Sequence, residues 1–454
     1  MSITENIANF INDFDIEAIS NSNKIKDKAK ELTLDTIGVA LAASKSEPVD
    51  LIIKSLIPEM EYGNSRIWGR KKKVSLLSSI LINGVMSHTL ELDDVHRMAK
   101  AHLGPVVIPV AINLGGYLNS NGKEVLEAII LGYEVMIRIA TGIGASSHRM
   151  RGWHATGTCG TFGSAAVASR LLKLNKGQTQ NALGLAGTQS SGLWAFIKDG
   201  SYSKKLHPGV SAQAGLLSAF LAKSGFTGPK YIIEAEDGGL FRAMSDNYDY
   251  TKVLKNLGKD FEILNVSLKP FACCRSTHPA IEAIINLRKN INIPDIKKIC
   301  IDMFTVGAKQ VGYIKYPKNV AEAQLSLPYV SAMALLDGQV LLEQFNSNRL
   351  RDKKVLEIMD LVEITPNKDF DKEYPSKWIT EVTFLLEDGT EIHKKVVYAK
   401  GDPENPLTIK EVIDKFYYLT DGLLNKEKQS MLIDNIMNKI ETIENINILL
   451  DQIS

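Results

Sequence analysis

The tract of residues 157–223 restricts most strongly how this chain can fold, because it is rich in Gly, Ala and Ser. Small side chains between apolar positions let backbones approach closely, so the tract predicts tightly packed helices. Gly157, Gly160 and Gly163 follow one another at three-residue intervals, a spacing that resembles a phosphate-binding loop. Such a loop needs a preceding strand and a Lys-Ser/Thr pair, and both are missing here. Close helix packing is therefore the better interpretation.

Helical periodicity continues over most of the chain on both sides of this tract. The polar sequence KDGSYSKKLHPG at 198–209 interrupts the apolar tract and is predicted to precede a further helix, Val210–Ser224. Elsewhere, helices are predicted at residues 4–20, 24–43, 48–60, 75–90, 106–118, 122–143, 279–290, 320–336, 339–346 and 352–361.

Strand signals appear only beyond about residue 262. β-Branched alternation predicts a strand at Ile299–Val306. Asp388-Gly389 predicts a hairpin turn, because alternating apolar segments flank it at Ile379–Leu386 and Thr390–Tyr398. The helical pattern returns after a capping box that starts at Thr408.

We therefore expect a mainly α protein with a smaller α+β domain. Residues 1–264 form the first part of a large all-helical domain, and residues 265–401 form the inserted α+β domain, placed as a lid. Residues 402–454 are C-terminal helices that return to the helical domain. A chain of 454 residues is long enough to bury a sizeable core in each part.

Charge and composition exclude several classes of partner. The formal net charge is only +1, which gives no basis for nucleic acid or an anionic membrane as the main partner. Four cysteines in so long a chain make no disulfide framework, and no CxxC spacing indicates zinc. The N-terminus has no apolar signal segment, and no apolar run reaches the roughly 20 residues that a membrane span needs. We expect a soluble, cytoplasmic protein.

The stretch Leu90–Gly104, LELDDVHRMAKAHLG, concentrates ionisable groups between apolar segments. It holds three carboxylates and two histidines, the combination that proton-transfer chemistry requires. A solvated connection between helices is the plain alternative. A metal site is a further alternative, but the spacing of these residues matches no known ligand pattern. The four side chains considered for a metal are His88, Asp93, His96 and His102.

Three more polar patches interrupt apolar sequence. Arg151–His154 precedes the Gly/Ala-rich helix, where a histidine and the helix N-terminus can meet an anion, or where the histidine simply caps the helix. Ser203–Gly209 holds two lysines and a histidine, which are also typical of a solvated turn. Lys269–His278 lies at the expected domain boundary, where ligand sites are common. Together these cations suit a substrate with several carboxylates.

Several segments together resemble the MmgE/PrpD family, in order and over nearly the whole chain. They include LDTIGVALA (34–42), NGVMSHTLELDDVH (83–96), AHLGPVVIPVA (101–111), GWHATGTCGTFGSAAVASRLLKL (152–174), KKLHPGVSAQAG (204–215), KPFACCRSTH (269–278) and GDPENPLT (401–408). The family includes 2-methylcitrate dehydratase, cis-aconitate decarboxylase and iminodisuccinate epimerase. The resemblance implies a large helical domain with a smaller α+β domain, a site between them, a homodimer, a small polycarboxylate substrate and no cofactor.

The resemblance also implies which residues form the site. It places a catalytic role on Glu91, Asp94, His102, His154, Lys204 and Lys269, and substrate binding on Asp93, His207, Arg275, His278 and Tyr313. No metal ligand is implied.

The sequence departs from the family pattern at positions next to several of these residues. Val95 replaces a usual threonine, and Leu103 follows the histidine where proline is usual. Cys274 stands where decarboxylase-like relatives carry a histidine, which argues against decarboxylation. We therefore expect a dehydratase that removes a proton α to a carboxylate and then expels water, with His102 as the base. Epimerisation, decarboxylation and a non-catalytic carboxylate-binding protein remain the alternatives.

Overall fold

The computed structural model describes residues 1–56 and 63–453, and most of them are helical. In the first 264 residues the helices are α1 (Ile3–Asp13), α2 (Ser22–Ala43), α3 (Glu47–Leu56), α4 (Leu76–Thr89), α5 (Gly104–Leu118), α6 (Gly122–Gly142), α7 (Ala145–Met150), α8 (Ala155–Leu171), α9 (Lys176–Thr188), α10 (Ser203–Lys223), α11 (Leu240–Met244) and α12 (Thr251–Leu254). Two short antiparallel pairs accompany them, β1 (Ser65–Arg66) with β2 (Lys73–Val74) and β3 (Val95–His96) with β4 (Val266–Ser267).

The Gly/Ala-rich tract forms closely packed helices, as its composition predicts. At Gly215 on α10, an added Cβ would lie 2.4 Å from the carbonyl oxygen of Thr161 on α8. At Gly209, an added Cβ would lie 2.3 Å from the carbonyl oxygen of Leu81 on α4. Any larger side chain would push these helices apart, so small residues set the distance between α4, α8 and α10.

A smaller α+β part follows the first helices. Its four-stranded sheet has the order β6 (Val362–Pro366), β5 (Ile296–Met303), β7 (Thr380–Leu386), β8 (Glu391–Val396). Strands β5 and β6 are parallel, and the other two pairings are antiparallel. Its helices are α13 (His278–Leu287), α14 (Thr305–Val311), α15 (Val320–Ala323), α16 (Leu327–Asp337), α17 (Lys353–Leu361) and α18 (Lys368–Asp371).

The C-terminal helices α19 (Ile409–Thr420), α20 (Lys426–Asp434) and α21 (Asn447–Gln452) pack mainly on the helical part. Phe416 of α19 is buried against Gly38 of α2. The capping box expected at Thr408 and Glu411 forms at the start of α19. The protein is thus mainly α with a smaller α+β domain, as expected, while the domain boundaries at 264/265 and 401/402 stay predictions.

Two hydrophobic clusters organise the chain. One joins the helices of the first half to the C-terminal helices, and the other fills the α+β part. Leu90 packs against both clusters, so the acid–histidine stretch begins where they meet. Within residues 1–56 and 63–453, no helix combines the length and apolar character needed to cross a membrane.

Some predicted elements are wrong in detail. Residues 203–209 are not a break but the first turns of α10, which continues through Pro208 because it packs against α4 and α8. The helix expected at 339–346 is only the short turn Leu342–Gln344. Strand β6 was not predicted, since its alternation spans only a few residues before Pro366 and follows directly on the helical pattern at 352–361. Residues 57–60 of the helix expected at 48–60 lie outside the described residues.

Candidate active site

The acid–histidine stretch enters the site directly after α4. The helix ends at Thr89, and Glu91 follows with a φ of 54°, in the left-handed region that non-glycine residues rarely adopt. Backbone strain of this kind persists only where the surrounding structure holds it, and it is concentrated at functional sites. The Glu91 side chain is buried and lines a cleft between the helical part and the α+β part.

Two lysines from distant segments hold the Glu91 carboxylate. The Lys204 ammonium contacts Oε1 of Glu91. Lys269 Nζ lies 3.6 Å from Oε2 and donates a 2.8 Å hydrogen bond to the Glu91 carbonyl oxygen. Burial by itself would raise the pKa of Glu91, but the neighbouring positive charges, that of Lys204 foremost, lower it well below its usual range. Glu91 is therefore ionised and is not a proton donor near neutral pH.

A second carboxylate, Asp93, orients His102. Asp93 Oδ2 lies 2.9 Å from His102 Nδ1 and 2.8 Å from His88 Nδ1. The Asp94 carbonyl oxygen lies 2.8 Å from the same His102 nitrogen. With Nδ1 engaged as a donor, Nε2 is the nitrogen of His102 that can take or give a proton in the cleft. Burial would raise the pKa of Asp93, but the charges of His102 and His88 lower it, so Asp93 stays ionised.

A third histidine, His154, stands at the N-cap of α8 and lines the same cleft. Its Nδ1 lies 2.9 Å from Nδ1 of His207, which is half-buried on α10. Burial lowers the pKa of His154 well below its usual range, and it lowers the pKa of His207 to about 4. Both rings are therefore neutral near pH 7, and one of them donates its Nδ1–H to the other.

The segment before α13 forms the wall on the side of the α+β part. Cys274 and Arg275 line the cleft, and Gln310 Nε2 donates to Cys274 Sγ over 3.4 Å. Arg275 pairs with Asp402 at 2.8 Å and donates a 2.9 Å hydrogen bond to His278 Nδ1. His278 is fully buried, and burial lowers its pKa well below the usual range, so it is a neutral acceptor.

The structure thus brings five of the expected residues into the lining of one cleft. Glu91, His102, His154, Lys204 and Arg275 line the cleft, and Lys269 binds Glu91 from behind. Glu91 is the one carboxylate among the lining side chains that the structure describes, so the cleft is electropositive overall.

Besides Lys269, five expected residues lie outside the cleft lining. Asp93, His207 and His278 contact lining residues from behind. Asp94 turns away, because Oδ2 accepts from Tyr133 at 2.6 Å and Oδ1 accepts from the amides of residues 103 and 104, while burial raises its pKa to about 6. Tyr313 is 56% exposed and accepts from Lys198 over 3.0 Å, so the structure does not support its role in the site.

Further lining residues are not predicted by the sequence: Lys100, Arg149, Trp194, Gln310, Tyr374 and Trp378. Lys100 lies inside the acid–histidine stretch, and Arg149 lies two residues before the Arg151–His154 patch. Their position in or beside these two polar patches was the available signal. Tyr374 and Trp378 carry no local signal, because only the fold of the α+β part brings them to the cleft.

The metal alternative considered from the sequence is only partly assembled. His88, Glu91 and His102 each offer a ligand atom within 4.8 Å of the others. His96 lies elsewhere, with its Nε2 at 3.4 Å from Glu262. The Glu91 carboxylate already contacts the ammonium groups of Lys204 and Lys269. These two positive charges would repel a divalent cation bound by Glu91, so this donor set fits a metal poorly.

Fold and site together define a mainly helical protein with a cationic cleft against a smaller α+β part. The pattern of the MmgE/PrpD N-terminal domain matches residues 5–252, and that of the MmgE/PrpD C-terminal domain matches residues 271–440. The chain belongs to the MmgE/PrpD family.

Several relatives within this family resemble the chain over most of its length. It is 28% identical to a cis-aconitate decarboxylase-like protein of Aspergillus oryzae, covering 94% of this chain and 92% of the relative. It is 25% identical to the cis-aconitate decarboxylase of Aspergillus terreus, over 94% of this chain and 91% of the relative. It is 27% identical to the cis-aconitate decarboxylase of Homo sapiens, covering 99% and 94%.

Proposed function

We propose that the protein is an enzyme that removes CO₂ from cis-aconitate or a closely similar unsaturated tricarboxylate. The observation that carries the proposal is the charge of the cleft, where several cationic side chains face one carboxylate that lysines already neutralise. Such a cleft favours an anion with several carboxylates. The decarboxylase relatives support the choice of substrate and reaction. Cys274 in place of a histidine does not remove the proton donor, because His102 lines the same cleft.

The reaction breaks the bond between one carboxylate carbon and its neighbour and leaves an electron pair on the carbon skeleton. Conjugation through the double bond spreads this pair onto another carboxylate, where fixed positive charges stabilise it. A proton is then added to carbon. One trianion and one proton give one dianion and one CO₂, so the site needs a proton donor and no leaving hydroxyl.

His102 is the proton donor in this proposal: as an imidazolium it gives its Nε2 proton to carbon and keeps its Nδ1 proton in the bond to Asp93. Asp93 holds its Nδ1 and leaves Nε2 for the substrate, the arrangement in which a carboxylate orients a histidine for proton transfer. Lys204 lines the cleft and provides the charge that stabilises the electron-rich carboxylate. Lys269 is completely buried and acts by holding Glu91 in place.

Dehydration, the reaction expected from the sequence, is the second candidate. The pairing of His102 with Asp93 also suits removal of a proton from carbon. However, a departing hydroxyl needs an acid, and Glu91 is ionised while Asp94 is bonded to Tyr133 outside the cleft. Of the acids expected from the sequence, that leaves His154, whose pKa is lowered by burial, so its protonation favours dehydration less than decarboxylation.

The test is a substrate panel read by NMR in D₂O, with cis-aconitate, citrate and 2-methylcitrate supplied separately. We expect cis-aconitate to give a dicarboxylate with one deuterium on carbon, together with CO₂. His102→Gln should lower turnover by roughly 10²–10⁴-fold. Tyr313→Phe is the control, because it removes a hydroxyl outside the cleft and should leave turnover unchanged.

The other outcomes contradict the proposal in distinct ways. Formation of an alkene from citrate or 2-methylcitrate would establish dehydration instead. Deuterium exchange without net conversion would indicate epimerisation. Thermal stabilisation by these acids without any product would indicate a binding protein. The homodimer implied by the family resemblance is also a proposal, which light scattering of the purified protein tests.

A further inference from the structure

Two cations of the cleft differ from the others in their partners. Within the described parts of the chain, Lys204 pairs with Glu91 and Arg275 pairs with Asp402, whereas Lys100 and Arg149 form no ion pair with a carboxylate. Both line the cleft and both are partly buried. A cation held away from water without a carboxylate is costly, so this arrangement needs a compensating partner.

Aromatic rings hold these two cations instead. The Arg149 guanidinium carbon lies 3.9 Å from the ring centre of Trp194, and Lys100 Nζ lies 4.3 Å from the ring centre of Tyr374. Lys100 Nζ also donates to the Ser146 hydroxyl over 3.1 Å. A ring face orients a cation without forming an ion pair with it, so no carboxylate competes with a bound anion for either group.

The backbone around Lys100 is also constrained. Lys100 has a φ of 51°, and it closes a tight turn in which the His96 amide donates to the Ala101 carbonyl oxygen over 2.9 Å. Strand β3 begins this turn and pairs with β4. The fold therefore maintains a strained backbone at Lys100, whose side chain has no carboxylate partner among the described residues. Glu91 in the same cleft has a strained backbone of the same kind.

Trp194 links this pair of cations to the reacting end of the cleft. Its ring contacts Arg149 on one side and lies 5.5 Å from the ring of His154, measured between centres. At the reacting end, the charges of Lys204 and Lys269 are already matched by Glu91 and Asp93. The uncompensated charge of the cleft is therefore concentrated at Arg149 and Lys100.

We propose that Arg149 and Lys100 bind the substrate carboxylate that does not react, and that they make the enzyme select tricarboxylates over dicarboxylates. This inference rests on the proposed function, because it assigns one of the three carboxylates of that substrate class to a place in the cleft. The planar guanidinium can bind a carboxylate through two parallel hydrogen bonds, which an ammonium cannot do. Arg149 is thus a specificity residue rather than a catalytic one.

The test measures binding of two inert ligands by calorimetry, so it does not depend on turnover. Propane-1,2,3-tricarboxylate has three carboxylates and no double bond, and glutarate is the same five-carbon chain without the central carboxylate. We expect Arg149→Gln to weaken binding of the tricarboxylate by about 10–100-fold and of glutarate by less than about threefold. Arg149→Lys should give an intermediate loss, because the charge remains but the paired geometry is lost.

The matched control is Arg151→Gln, which removes the same charge at the end of the same helix. Arg151 pairs with the exposed Asp246 at 2.7 Å and does not line the cleft, so this variant should bind both ligands like the parent protein. Lys100→Met serves as the second variant, should Arg149→Gln fail to fold by circular dichroism. It should also weaken tricarboxylate binding more than glutarate binding.

Equal losses for both ligands, or the same losses in Arg151→Gln, would overturn the inference, because they would indicate only long-range attraction. Unchanged tricarboxylate binding in both cleft variants would also overturn it. If the parent protein turns over no acid of the panel but binds the tricarboxylate through Arg149, the proposed function fails and the carboxylate site stands. If turnover occurs and Arg149→Gln keeps the parent KM, the function stands and the inference fails.

Discussion

The substitution Asp93→Asn tests whether Asp93 has a role that the adjacent Asp94 does not share, although the two acids look equivalent in the sequence. Asp93 Oδ2 accepts from both His102 and His88, and an amide of the same shape would keep the packing but lose the charge. A hydrogen bond to a charged group contributes about 1.5–3 kcal/mol. Each 1.36 kcal/mol corresponds to about tenfold in rate, so kcat should fall by about 10–100-fold if that bond holds the protonated His102 ring in place for proton transfer.

Stability changes in the same variant for a separate reason. The buried ammonium groups of Lys204 and Lys269 are balanced by the carboxylates of Glu91 and Asp93. Removing one carboxylate leaves an excess positive charge, and we expect a loss of about 1–3 kcal/mol in the free energy of unfolding. Denaturant unfolding followed by circular dichroism measures this loss, and kinetics on the folded fraction measure kcat.

Asp94→Asn is the matched control for Asp93→Asn. Its Oδ1 accepts two backbone amides and its Oδ2 accepts from Tyr133, outside the cleft lining. An asparagine can keep the Oδ1 contacts, and its Nδ2 can donate to the Tyr133 hydroxyl oxygen in place of the lost Oδ2. We expect kcat of this variant to fall by less than about fivefold, which corresponds to less than about 1 kcal/mol. Equal kcat losses in the two variants, or an Asp93→Asn enzyme within threefold of the parent, would refute the role given to the pair of Asp93 and His102.

Three further predictions concern pH, metals and the C-terminal helices. Burial, followed by the charge of Arg149, lowers the pKa of Lys100 to about 7. Binding of propane-1,2,3-tricarboxylate should therefore weaken as the pH rises through 7, because Lys100 loses its proton. Calorimetry between pH 6 and 9 checks the direction of this change. Incubation with EDTA should leave turnover unchanged, because Glu91 is already paired with two ammonium groups and is a poor metal ligand. A loss of turnover that is restored by adding metal would contradict this prediction. Phe416→Ala should lower the free energy of unfolding by about 3–5 kcal/mol, because the ring fills the space beside Gly38; denaturant unfolding measures it.

Much of the local structure could be predicted from the sequence. The Asp388-Gly389 turn, the capping box at Thr408 and the packed helices of the Gly/Ala-rich tract all form as expected. Each depends on residues a few positions apart, whose turn chemistry, capping and spacing act within one segment. The exception is Pro208, which a local rule places at a helix end and which packing keeps inside α10.

The sequence by itself determined the family, the mainly helical fold and most of the charged groups of the site. The tertiary structure decided what each group does. Asp93 and Asp94 are neighbours in the chain, yet Asp93 stays ionised between two histidines while the pKa of Asp94 rises to about 6 beside Tyr133. The tertiary structure also places the ring of Tyr374 beside Lys100. Desolvation and charge pairing depend on side chains far apart in the chain, so only the assembled fold sets them.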